Sequence, residues 1–149
     1  MRFIELSILA AGLVVALSGC GRPETPVEAP PSADRADEEE FLAEGQAVYQ
    51  EFCAICHFAG EGDDRNPPMI GSAMVENPDP ADFIRVILFG QSGPTVVAGR
   101  EYDGIMPPMD WLSDEEVAAV ATWTRQRFGG VETAVDAEQV EQIRADGPP

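Results

Sequence analysis

Residues 53–57 read Cys53-Ala54-Ile55-Cys56-His57. Thiols three residues apart fall on one side of a helical turn. In that position they are able to add across the two vinyl groups of a haem, and the histidine next in sequence is carried beneath the ring to ligate iron. A structural zinc site wants four Cys or His ligands, whereas this pair and the only histidine in the chain make three. A thioredoxin-like dithiol wants a βαβ context that the flanking residues do not supply. A plain Cys53–Cys56 disulfide is the remaining alternative. The expected cofactor is one covalently bound haem c, held by Cys53 and Cys56 with His57 on the iron.

On either side of the motif the pattern is helical. Residues 38–52 place Phe41, Leu42, Ala47, Val48, Tyr49 and Phe52 at helical spacing, with acids in the first turn, where the helix dipole favours them. Residues 53–69 form a Gly/Asp/Asn/Pro-rich loop. Asp79-Pro80 opens a second helix carrying Phe83, Ile84, Val86, Ile87 and Leu88, which ends at Gly90. Residues 91–110 read as loop, punctuated by glycines and prolines. Ser113 and Glu116 make a capping box for a helix with Val117, Val120, Ala121 and Thr124 on one face, stopped by Gly129-Gly130. Asp136 and Gln139 mark a short last helix to about residue 145. The only strand candidates, residues 95–98 and 131–135, are short. The expected fold is all-α: three to five helices, with long loops of the kind that wrap a ligand.

The chain has 149 residues, 27 acidic side chains, nine arginines and no lysine, for a net charge of −18. Such a balance excludes nucleic acid as a partner. Residues 1–19 carry one early arginine and then an apolar run from Leu6 to Leu17. That run is about 18 Å long as a helix, too short for a bilayer core of roughly 30 Å, and fits a secretory signal. Leu17-Ser18-Gly19-Cys20 resembles the bacterial lipoprotein box, which implies that Cys20 becomes the lipidated first residue of the mature protein; Glu5 departs from the usual basic start. Residues 20–37 hold prolines at 23, 26, 30 and 31 and read as a disordered tether. Residues 38–130 form the folded domain, and 131–149 a short helix and tail.

Beyond the cysteine motif, four features in order resemble the class I c-type cytochromes over about residues 40–130. Gly45 and Tyr49 match the family's Gly-x-x-x-aromatic on the first helix, which crosses the C-terminal helix. Pro67 matches the proline whose carbonyl accepts the imidazole N–H and so orients the ring. Met106-Pro107 stands where the family has its distal methionine ligand. Residues 112–120, with Trp123, look like the family's terminal helix. The resemblance implies a small cytochrome c fold with Met106 as the second axial ligand. Pro107 restricts Met106 to an extended backbone suited to reaching the ring from a loop. Met109 is its rival, while Met69 and Met74 read as packing residues. Arg65, Arg100, Tyr102, Trp111 and Trp123 are further candidates for contact with the ring edge or the propionates.

With two strong axial ligands, iron changes oxidation state with little movement and binds no substrate. The expected function is therefore one-electron transfer rather than catalysis, by a carrier tethered on the periplasmic side of a membrane or by the cytochrome subunit of a dehydrogenase or oxidase. Methionine, a neutral soft donor, raises the potential. Donor and acceptor are expected to be redox proteins with a positive or apolar docking face. The alternative is a haem enzyme or gas sensor with an open distal site, which lacks a distal histidine because His57 is already used.

Overall fold

The computed structural model describes residues 33–148. A continuous helical path leads into the cysteine motif. Helix α1 (Ala33–Val48) passes into a π-helical turn (Tyr49–Cys53) and then a single turn, α2 (Ala54–His57). It starts five residues before the 38–52 stretch in which helical periodicity is visible, in exposed residues with no apolar face to show it. The π turn widens the helix at Cys53, a distortion that recurs at functional sites.

Helix α3 (Ala81–Phe89) follows Asp79, whose carboxylate accepts from the Ala81 N–H at 3.0 Å. Helix α4 (Asp114–Thr124) has the capping box in full: Ser113 Oγ accepts from Glu116 N–H, and Glu116 Oε2 accepts from Ser113 N–H. A second π-helical turn (Arg125–Gly129) runs to Gly130, which takes the left-handed conformation that ends the helix. Helix α5 (Ala137–Asp146) begins where Asp136 caps Gln139 N–H at 2.8 Å. The fold is all-α in its core, with four helices of nine or more residues among those described.

One segment expected as loop is ordered differently. Residues 91–106 form an antiparallel hairpin of β1 (Gln91–Val97) and β2 (Arg100–Met106). Its two-residue turn puts Ala98 and Gly99 at φ 49 and 78°, the positive values that a right-twisted hairpin turn requires. Glycine and proline inside β1 and an alanine in place of the usual asparagine hid it from sequence reading. The other strand candidate, 131–135, is irregular. There Thr122 Oγ1 accepts from Val135 N–H at 2.8 Å and fixes the chain against α4.

The core lies between α1, α3, α4 and α5, with Tyr49, Ile84, Leu88, Val117, Val120 and Val140 fully or nearly fully buried. Helices α1 and α4 cross at Gly45, where a Cβ would collide with the Ala119 carbonyl oxygen and meet Trp123 Cβ at 2.9 Å. The crossing is completed by an aromatic cluster. Tyr49 lies 4.9 Å from Trp123 and 5.4 Å from Phe128, centroid to centroid.

Candidate functional site

The π turn and α2 together set Cys53, Cys56 and His57 in the lining of an apolar cavity of about 550 Å3. The loop between residues 65 and 75, α3 through Phe83, Val86 and Ile87, and the hairpin complete the lining. Burial in β1 alternates strictly, so Gln91, Gly93, Thr95 and Val97 share the more buried face. Their partners across the ladder are Met106, Gly104, Tyr102 and Arg100. Two glycines therefore face each other in mid-hairpin, Gly93 and Gly104. A Cβ at Gly93 would meet nothing within 4 Å, whereas one at Gly104 would lie 3.1 Å from the Arg65 carbonyl oxygen.

His57 is 7 % exposed, and its Nδ1 lies 2.9 Å from the Pro67 carbonyl oxygen. The proline carbonyl can only accept, so Nδ1 carries the proton and Nε2 keeps its lone pair for a metal. Burial lowers the imidazole pKa, with the Pro67 contact and Asp63 acting the other way. The ring is thus neutral, as a ligand must be. Asp63 helps to shape the loop that carries Pro67: its Oδ1 accepts from the N–H groups of Arg65 and Asn66, both at 2.7 Å.

The Cys53 thiol is pushed up to about 11 by burial, with Cys56 adding to the shift. Both cysteines are free thiols, half-buried and exposed respectively. As a protonated thiol Cys53 retains the hydrogen that addition across a vinyl group needs. Tyr49 also lines the cavity. It is 0 % exposed, and its pKa is raised to about 12, chiefly by burial and then by Cys53, with the Gly60 backbone acting the other way. Two thiols, a neutral buried imidazole and methionine sulfurs lining one apolar cavity fit a covalently attached haem in size and donor chemistry.

Four methionines line the cavity: Met69, Met74, Met106 and Met109. Met69 belongs to the core, and Met74 and Met109 pack against it, whereas Met106 ends β2 on the cavity-facing side outside that cluster. Of the ring-edge candidates, Arg65 and Tyr102 line the cavity. Arg100 instead pairs with Asp64 at 3.0 Å and stacks over Tyr102, Trp111 packs edge-on against Phe52, and Trp123 belongs to the α1–α4 crossing. Gln91, directly across the ladder from Met106, escaped sequence reading because the hairpin was not expected. Cys20 lies outside the described residues. Among those described, no helix is long and apolar enough to cross a membrane.

Residues 40–123 match the family model described as cytochrome c oxidase, cbb3-type, subunit III. Cytochrome c-552 of Thermus thermophilus is 31% identical over 113 residues, covering 69% of this chain and 86% of that protein. The fructose dehydrogenase cytochrome subunit of Gluconobacter japonicus is 30% identical over 112 residues, 70% of this chain and 22% of the relative. The cytochrome c subunit of the quinone-type alcohol dehydrogenase of Gluconobacter oxydans is 34% identical over 115 residues, 70% of this chain and 23% of the relative. The chain spans less than a quarter of the length of either dehydrogenase subunit.

Proposed function

The chain belongs to the cytochrome c family described as cytochrome c oxidase, cbb3-type, subunit III, and from that membership we propose a one-electron carrier whose haem c is bonded to Cys53 and Cys56 and ligated by His57 and Met106. The observation that carries this reading is convergence. Both thiols, the neutral imidazole and the Met106 strand end line one apolar cavity, although Met106 is 49 residues from His57 in sequence. The bound group supplies a metal that takes up and gives back one electron. The chain's own part is positional. Pro67 holds His57 in one tautomer and orientation, and the π turn and α2 hold the two thiols in the cavity lining. The hairpin brings the Met106 sulfur into the same cavity, and the apolar lining would keep water from a bound group.

Within this reading the protein is not itself a catalyst; it serves as a free carrier or as the cytochrome subunit of a dehydrogenase or oxidase complex. The lipoprotein-like residues 17–20 support a location on the periplasmic side of a membrane, with Cys20 as the tether. Its redox partners present a positive or apolar docking face.

Replacing the sixth ligand tests the mechanism. Met106→Ala should lose the weak red charge-transfer band of ferric iron–sulfur bonding, lower the potential and admit carbon monoxide to the ferrous protein. Met109→Leu should keep the band. The reverse result would assign the ligand to Met109, and no effect from either variant would overturn the closed-iron carrier.

A further inference from the structure

The segment joining Met106 to α4 is gripped by a side chain from outside the family match. Arg144, near the end of α5, donates from Nε to Asp114 Oδ1, from Nη1 to the Asp110 carbonyl and from Nη2 to the Leu112 carbonyl, each at 2.8 Å. The match to the family model ends at residue 123, so α5 lies beyond the matched residues. Helix α5 is itself well seated. Val140 and Ile143 are buried, and Arg85 on α3 donates to the Gly147 carbonyl at 3.2 Å and pairs with Asp146 at 3.6 Å. The segment is pinned at two more points. Met109 N–H donates to the Ile87 carbonyl at 2.9 Å, and the Met106 carbonyl lies so close to Gly90 that a Cβ there would collide with it.

We propose that Arg144 is a positioning residue for the distal ligand, its planar fork fixing the Asp110–Leu112 backbone and thereby the segment that presents Met106. This rests on the reading that Met106 ligates iron. Only a guanidinium spans a carboxylate and two carbonyls in one plane; a lysine ammonium in its place keeps the charge but not the fork. A plain staple between α5 and α4 would work through Asp114 alone. A positioning role works through the two carbonyls.

Imidazole binding to the ferric holoprotein reads the difference, because a ligand that enters only when the methionine swings away binds in proportion to the open population. Arg144→Ala and Arg144→Lys should each bind imidazole about tenfold more tightly than the parent and weaken the red charge-transfer band. Asp114→Asn, which spares the carbonyls, should lower the unfolding midpoint and leave imidazole affinity unchanged. In a Met106→Ala background, already open, Arg144→Lys should add nothing. Parent-like affinity in both Arg144 variants would overturn the proposal, as would the same tenfold gain with Met106 absent. Arg144→Lys keeps the test intact if Arg144→Ala fails to fold. A Met106→Ala protein that binds imidazole no better than the parent would instead overturn the ligation reading on which the proposal rests.

Discussion

Single side chains near the cavity divide into those the sequence displays and those that only three-dimensional placement reveals. Cys53, Cys56 and His57 are displayed because their chemistry depends on local spacing, which survives in one dimension. If both thiols carry the haem, Cys53→Ala leaves one vinyl group conjugated to the ring. The pyridine haemochrome band should then move to longer wavelength; an unmoved band would mean that Cys53 is not bonded. Arg125 is of the other kind. It is 0 % exposed and donates to the carbonyls of Asn77, Pro78 and Thr133 at 2.7, 2.9 and 3.2 Å, so it ties the loop before α3 and the segment after Gly130 to the end of α4. Burial works against its charge, with Asp79 partly offsetting the effect. Nothing about an arginine four residues before Gly129 announces this, since its three acceptors are backbone atoms. Arg125→Met keeps the bulk but orphans three carbonyls. It should cost about 2 to 4 kcal/mol in denaturant unfolding of the holoprotein, at about 1 kcal/mol or more per unsatisfied group. A change below half a kcal/mol would mean that water replaces the guanidinium without loss.

At the scale of elements, helices with their own start and stop signals were legible and the hairpin was not. The Ser113 box and the Asp136 cap are local contacts, so the residues that make them lie within one turn of each other. A hairpin with Gly93 and Pro94 in one strand and Ala98 at positive φ depends on its surroundings. Its inner face is sustained by the cavity it closes, which single-strand periodicity does not register. The same backbone gives a direct test. Ala98 sits where asparagine or glycine is favoured, at a cost of roughly 1 kcal/mol for an L-residue. Ala98→Asn should therefore raise stability by about 0.5 to 1 kcal/mol in thermal or denaturant unfolding. Loss of stability would show that the turn is not in that conformation. The α1–α4 crossing is tighter. A side chain at Gly45 meets a backbone carbonyl rather than a flexible chain end, so Gly45→Ala already forces the helices apart and Gly45→Leu does so further. Costs of about 1 to 3 kcal/mol are expected; an unchanged unfolding midpoint for Gly45→Leu would reject the close crossing.

For the molecule as a whole, charge and exposed apolar surface point to the same face. Ile55, Val96 and Ile105 line the cavity yet are 74, 68 and 82 % exposed, so the cavity's mouth carries an apolar rim. Asp63, Glu101 and Asp103 are close to that rim in sequence and exposed, whereas Asp64 is paired with Arg100. Long-range attraction and close contact then separate experimentally, because the first is screened over about 8 Å at physiological salt and the second is not. Electron exchange with a small redox protein that presents a basic face should slow steeply as salt rises from about 0.01 to 0.15 M. Removing charge with Glu101→Gln and Asp103→Asn should flatten that dependence. Ile105→Ser should instead lower the rate by a similar factor at every salt concentration, because it leaves the field intact and removes surface from the contact. A rate independent of salt in the parent protein would rule out electrostatic steering. An Ile105→Ser variant as fast as the parent would move the docking face away from the cavity mouth.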